Sequence, residues 1–333
     1  MFRLPNLFHP ASTWSACALL VASIGCHTPI AIEESVLARV PLSELSIALA
    51  SAEAEIGAIR DQAEKRVTFA NEEPSPTHYS VVYIHGFSAT RVEVAPVAER
   101  VAASLEANLF ETRIAGHGRH DPDALLEATA EAWIRDTAHA LEIAQNLGEK
   151  VIAIGTSTGA ASLTTLAAHP AYEDSLHALV LLSPNYGVSD PRTAVFRLPF
   201  GNALAKAMVG PRLYFPPVNE AHATHWDREY PTIVVGEVAK VARRARHLGR
   251  HRVATPTLVL YCPEDLVVEP SRIESVFRHI AAREPSSRIE TIHVTHSDNI
   301  DKHVIAGDAL SPETTEDVIE AILGFLASLE PGR

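Results

Sequence analysis

The sequence predicts an α/β protein, with a mainly parallel sheet covered by helices on both faces and a long insertion after the central strands. Three observations carry this. Short apolar runs rich in β-branched residues recur along the chain: Val81-Val82-Tyr83-Ile84, Val151-Ile152-Ala153-Ile154 and Thr257-Leu258-Val259-Leu260-Tyr261. Strands buried on both faces have that unbroken character. Helix-patterned segments lie between the runs, which implies right-handed crossovers and parallel pairing. The 333-residue chain is 47% hydrophobic and 21% charged, a composition that supports a sizeable core.

The chain opens on an apolar leader. Residues 1–25 carry one charged side chain, Arg3, and the stretch from about Trp14 to Ile24 leads into Gly25-Cys26. This is the layout of an export signal, too short for a comfortable membrane span. Gly25-Cys26 also resembles a bacterial lipobox, whose cysteine is lipidated, although Ser23 stands where that motif usually has Leu. Residues 1–26 are therefore expected to be a signal or lipoprotein-like segment. The mature protein is expected to be exported and tethered to a membrane through Cys26, or otherwise secreted or periplasmic.

Residues 27–78 read as an N-terminal helix and linker. Leu42, Leu45, Leu49, Ile56 and Ile59 recur near helical spacing behind Pro41, predicting one amphipathic helix over about 41–65 packed on the main domain. Pro74 and Pro76 mark a turn. The main domain runs over 79–329. Its first strand closes at His85-Gly86-Phe87, and a helix is expected from about Val92 to Leu105. Leu109–Ile114 reads as a strand ending at Gly116-His117-Gly118. A long helix is expected from about Asp123 to Leu147, with Gly148 at its C-terminal cap. Ala178–Leu182 is a further strand. The stretch from 187 to 253 interrupts the alternation and holds Phe196, Phe200, Met208, Tyr214, Phe215, Trp226 and Tyr230. It is expected to be a lid over the strand ends, where sheets of this kind place their ligands. Arg288–Thr295 reads as the last strand, and Ser311-Pro312 as the start of the final helix, with Ser as cap.

One junction is chemically specific. The run Val151–Ile154 passes into Gly155-Thr156-Ser157-Thr158-Gly159 and then a small-residue helix. This G-x-S-x-G turn between strand and helix presents the serine hydroxyl clear of the chain. A side chain at 155 or 159 would collide with the neighbouring strand or helix. A serine needs a base within reach to become a nucleophile, and in this architecture the chain order is Ser, acid, His. Asp265 and its neighbour Glu264 are the acids after the strand ending at Tyr261. His296 and His303 lie between the last strand and the final helix, while His293 falls within that strand.

These residues resemble an α/β-hydrolase, and more narrowly the branch of monoacylglycerol lipases, lysophospholipases and serine aminopeptidase-like (S33-type) hydrolases. The matching residues are His85-Gly86-Phe87, Gly116-His117-Gly118, Trp133 with Asp136, and Gly155–Gly159. Thr158 and Ala160 stand where many relatives have Met and a second Gly. Of the usual antiparallel strands before the first parallel one, only Val67-Thr68-Phe69 could serve. The resemblance places the acid at Asp265 and the base at His303, within Asp301-Lys302-His303-Val304-Ile305. It implies an oxyanion hole from the backbone N–H groups of Phe87 and Thr158, with the Phe87 side chain also lining the substrate site and His85 shaping the loop. The expected activity is cleavage of carboxylic esters: monoacylglycerol, lysolipid or short-chain. Amide or thioester hydrolysis and a non-catalytic binding role are the alternatives.

Other classes fit poorly. A formal charge of −13, with no basic cluster outside Arg243–Arg252, argues against nucleic acid as a partner. The basic patch of Arg243, Arg244, Arg246, Arg250 and Arg252 reads as a solvated helix face. Three dispersed cysteines make no disulfide framework. No cofactor or metal is implied by the residue pattern.

Overall fold

The computed structural model describes residues 33–169, 171–172, 175–248 and 253–330. The export-type leader with Cys17 and Cys26 lies outside the described residues, as do Arg250 and Arg252.

In chain order the main elements are α1 (Leu42–Ile56), β1 (Arg66–Thr68), β2 (Thr77–Ile84), α2 (Val97–Ser104), β3 (Asn108–Glu111), α3 (Ala130–Leu147), β4 (Gly148–Thr156), α4 (Ser157–Ala167) and β5 (Leu176–Leu182). The stretch after β5 holds α5 (Gly201–Val209), β6 (Arg212–Tyr214), α6 (Glu220–His225), β7 (Glu229–Pro231) and α7 (Val234–Leu248). The main sheet resumes with β8 (Thr257–Tyr261), α8 (Pro270–Arg283), β9 (Ile289–His293) and α9 (Pro312–Ala327). Strand order is β1-β3-β2-β4-β5-β8-β9. Every pair is parallel except β1 with β3. The sequence's lone edge candidate, near Val67, is thus the antiparallel edge strand. Residues such as Val81, Ile152, Val180 and Leu258 fill the core between sheet and helices, so all the parallel strands deliver their C-terminal ends to one rim.

Several boundaries differ from expectation for local reasons. The first helix stops at Ile56 because Gly57 follows at φ 65°, a left-handed conformation that breaks the helical ladder. Even so, α1 is docked as expected. Leu45 and Leu49 are buried, and Glu53 accepts from Arg113 Nε at 2.7 Å and Nη2 at 3.0 Å in a buried bidentate pair. The helix expected from Val92 begins only at Val97. Pro96 lacks the N–H that a continuing helix would need, and turns precede it. The long helix from Asp123 is a 3-10 turn, Ala124–Glu127, followed by α3, which Thr129 caps through its side chain onto Ala132 N.

Gly148 does follow α3, but in extended conformation, and β4 starts at once. Glycine is needed there because a Cβ would come within 2.6 Å of Ser80 N. Ser311 precedes α9 without capping it, because its hydroxyl donates to Val304 O at 2.5 Å. The serine thereby secures the loop carrying His303 rather than the helix.

The stretch from 187 to 253 forms a small β6–β7 hairpin with α5, α6 and α7 around it. Its aromatics divide. Trp226 and Tyr230 are buried, whereas Phe200, Met208, Tyr214 and Phe215 are exposed. Arg243, Arg244 and Arg246 on α7 are each half-buried. Arg246 donates to Tyr186 O at 2.8 Å, so that face is partly anchored to the protein instead of being fully solvated.

Candidate active site

The turn at Ser157 is built by its two glycines. A Cβ on Gly155 would lie 2.7 Å from Leu163 Cδ1 and 2.9 Å from Ala160 N. One on Gly159 would lie 2.3 Å from Ile84 O. Only glycine lets β2, β4 and α4 converge this closely. Ser157 itself sits at φ 50°, a conformation non-glycine residues rarely adopt and one associated with functional turns. Its carbonyl accepts from Asn185 N at 3.0 Å, which ties the turn to the rim beyond β5. Ser157 keeps 6% of its surface open.

Asp265 and His303 meet at the same rim. Asp265 is buried in the loop after β8. Its Oδ1 accepts from Val267 N at 2.8 Å and Val268 N at 2.9 Å, while its Oδ2 faces His303 Nδ1 at 2.7 Å. The carboxylate can only accept, so Nδ1 carries the proton and Nε2 keeps its lone pair. Burial alone would lower the His303 pKa. The Asp265 carboxylate, by charge and hydrogen bond, with added fields from Glu93 and Asp301, overrides burial and raises it. The two loops are also joined by backbone, Leu266 N to Asp301 O at 2.9 Å. Asn299 Oδ1 accepts from His303 N at 3.0 Å and Val304 N at 3.3 Å. Ser157 makes no hydrogen bond to His303 in this structure; such contacts commonly tighten only with substrate bound.

The rejected alternatives fall elsewhere. Glu264 points to solvent beside the buried Asp265, and His296 is exposed. His293, at the end of β9, has its Nε2 3.0 Å from the Tyr261 hydroxyl and its ring edge-on to that tyrosine.

Phe87 and Thr158 flank the serine. Thr158 is the second residue of α4, so its N–H has no carbonyl a turn earlier to bond. The peptide that carries the Phe87 N–H is held by His85. Ile114 N donates to His85 Nε2 at 3.2 Å, so Nδ1 holds the proton and donates to Gly86 O at 2.8 Å. That fixes the Gly86–Phe87 peptide plane, and its N–H points the opposite way from its carbonyl. Burial lowers the His85 pKa to about 4, so the ring stays neutral and shapes the loop. The Phe87 ring packs edge-on against His117 (5.6 Å) and Tyr230 (4.9 Å), and tilted on Trp133 (5.7 Å).

The spacing Trp133…Asp136 now has a cause. Trp133 Nε1 donates to Ala115 O at 2.9 Å, and Asp136 Oδ2 accepts from Ala115 N at 2.7 Å. Two side chains one helical turn apart thus hold both polar groups of one residue beside His117.

The family comparison follows this geometry. Residues 75–298 match the family described as serine aminopeptidase, S33. The chain belongs to this family. The match includes Ser157 and Asp265 and stops five residues short of His303. A comparison with curated proteins finds no match.

Solved structures similar to this S33 hydrolase agree on the fold. One of the metagenome-derived lipolytic enzymes LipS and LipT is 18% identical at a TM-score of 0.65, covering 81% of this chain and 99% of its own. The monoacylglycerol lipase of Paleococcus ferrophilus is 18% identical at a TM-score of 0.55, covering 80% and 98%. A soluble variant of monoglyceride lipase from Saccharomyces cerevisiae, solved with a substrate analog, is 11% identical at a TM-score of 0.54, covering 82% and 94%.

Sequence reasoning missed three residues of this rim. Asn299, Tyr83 and Glu93 lie outside any short motif. Only the fold reveals that they hold the motif residues in place.

Proposed function

We propose that this S33 hydrolase cleaves carboxylic esters through an acyl-enzyme, with Ser157 as nucleophile, His303 as base and Asp265 as the acid that orients the imidazole. The observation that carries the reading is the Asp265–His303 hydrogen bond. It leaves Nε2 as acceptor at the rim where Ser157 stands in a strained turn. Ser157 Oγ attacks the ester carbonyl as its proton passes to Nε2. The new oxyanion takes hydrogen bonds from the N–H groups of Phe87 and Thr158. The imidazolium then gives its proton to the departing alcohol, and water, deprotonated by the same ring, releases the acid.

The 187–253 stretch, read as a lid, supports an apolar acyl group. A cavity of about 260 Å³ is lined there by Phe196, Met208, Leu213, Tyr214, Phe215 and Val235. Phe215 stacks on Tyr230, which packs on Phe87, so a chain of ring contacts links the loop at Phe87 to the cavity wall. Monoacylglycerols, lysolipids or shorter esters fit that chemistry. An exported form tethered through Cys26 would meet such substrates at a membrane.

A fluorophosphonate probe tests the reading. Labelling of the wild type and not of Ser157→Ala is expected, with turnover of p-nitrophenyl esters that depends on acyl length. Failure of folded protein to label or turn over any ester would overturn it. The family's description as serine aminopeptidase favours peptide or arylamide substrates as the second reading, tested on aminoacyl-p-nitroanilides in the same assay.

A further inference from the structure

We propose that Glu93 is a positioning residue of this site: its carboxylate clamps the oxyanion loop onto the serine turn, and its charge acts on His303. The proposal rests on the reading of Ser157 and His303 as the reacting pair.

The geometry is specific. Glu93 is 2% exposed. Its Oε2 accepts from Gly86 N at 2.6 Å and from the Tyr83 hydroxyl at 3.0 Å. Since Tyr83 donates to Glu93, its oxygen accepts from Thr156 Oγ1, 3.1 Å away. Thr156 immediately precedes the nucleophile, and Gly86 immediately precedes Phe87. One carboxylate therefore ties both halves of the oxyanion hole together. A Cβ on Gly86 would fall 2.7 Å from Glu93 Oε1 and 3.2 Å from Ser157 Cβ, so the carboxylate and the serine both crowd the space that a side chain at 86 would take.

The third tie is to the histidine loop. A Cβ on Gly307 would fall 2.9 Å from Glu93 O, and Asp308 N donates to Ala95 O at 2.9 Å. Gly86 N–H and the Tyr83 hydroxyl contact the Glu93 carboxylate, and Glu93 and His303 act on each other through their charges. The field on His303 comes from Asp265, Glu93 and Asp301.

A clamp alone would not need a charge. Gly86 and Tyr83 both donate, and an amide oxygen would accept from them at a lower desolvation cost. Burial pushes the Glu93 pKa up to about 7, against the pull of Gly86 N–H, His303 and Tyr83. A carboxylate kept at that cost within electrostatic reach of an imidazole that must become cationic supports the positive charge in the transition state, adding to the field of Asp265.

The test compares Glu93→Gln, Glu93→Ala and Ser157→Ala in steady-state kinetics across pH, with thermal melts. The Gln variant keeps the acceptor, so it should melt no lower than wild type. Its kcat should drop about tenfold with KM within about twofold. Its acid limb should shift to lower pH, because a negative charge that raises the His303 pKa is gone. The Ala variant also loses the clamp and should lose about a hundredfold in kcat, the scale of a displaced oxyanion donor. If Glu93→Gln keeps wild-type kcat and an unmoved acid limb while Ser157→Ala is inactive, the Glu93 proposal fails alone. If Ser157→Ala retains turnover, the underlying reading fails instead.

Discussion

The rim that carries Ser157 and the 187–253 stretch that touches it are built in opposite ways. At the rim polar contacts and close packing fix the loops that carry the functional side chains. Asp265 takes three hydrogen bonds, the peptide before Phe87 is held by His85, and glycines 155 and 159 admit no alternative backbone. The other stretch is anchored at its base, where Glu237 Oε2 accepts from Ala130 N at 3.0 Å and Arg246 donates to Tyr186 O, and its Trp226 side has a further anchor. Arg60 donates to Trp226 O at 2.8 Å and pairs with Asp227 at 2.7 Å, and Asp227 N donates to Ser88 O at 2.6 Å. Beyond these anchors it leaves Phe200 85% exposed and Tyr214 62% exposed. Rigid polar contacts suit bond-making, which tolerates little displacement. A surface of loosely covered apolar side chains suits recognition of flexible chains of varied length. The comparison implies that rim variants should change kcat and that variants of the exposed stretch should change KM and chain-length preference.

The largest effects belong to the rim. Ser157→Ala and His303→Ala are each expected to lower kcat by at least roughly a thousandfold, and the double variant little further, because such residues act as a unit. His296→Ala, on an exposed side chain, should stay near wild type. An inactive His296→Ala beside an active His303→Ala would reassign the base. Asp265→Asn belongs in the same range, with kcat reduced up to about 10⁴-fold, since the amide oxygen stays with Val267 N and Val268 N and the NH2 group then faces His303 Nδ1, disfavouring the productive tautomer. Melting curves of these variants separate lost chemistry from lost fold.

A smaller change sharpens the other side of the comparison. Phe215→Ala removes the ring between the cavity and Tyr230. KM for octanoyl or longer esters should rise about tenfold, roughly 1.4 kcal/mol of binding, with acetyl esters unaffected. An equal loss on acetate would mean that Phe215 supports Tyr230 and the rim rather than the acyl chain.

What was legible in the sequence follows the same division. Strand runs and the glycines around Ser157 could be read because each rests on local sterics, and strand-end placement narrowed the acid to Asp265 or Glu264 and the base to His296 or His303, with the resemblance choosing His303. The choice of Asp265 over Glu264 came from resemblance; burial of one and exposure of its neighbour give the physical reason. Helix ends were read less well. Gly57 and Pro96 act through single dihedrals and donors, whereas the periodicity of the flanking residues continues past them. Ser311 was legible as a cap but serves Val304 O, a contact that depends on tertiary placement. Glu93 was illegible for the same reason: it bonds Tyr83 and Gly86, reaches Thr156 only through Tyr83 and acts on His303 only through its charge.

The finest test concerns the cost of readying the base. The His303 pKa is raised in the folded state, so folding favours the protonated ring. That contribution is fully present below the ordinary histidine value of about 6.5 and is lost as pH rises through the folded value. Activity has the opposite sign, because the neutral ring is the base, so kcat/KM should climb over the same window, above the pH usual for histidine. Wild type and His303→Gln melted side by side isolate this ring from Glu93, whose raised pKa acts in the same direction. The stability advantage of wild type over the variant should shrink as pH rises across that window, by about 2 °C or less in Tm. A difference independent of pH would show that the Asp265 hydrogen bond positions the imidazole without favouring its charge.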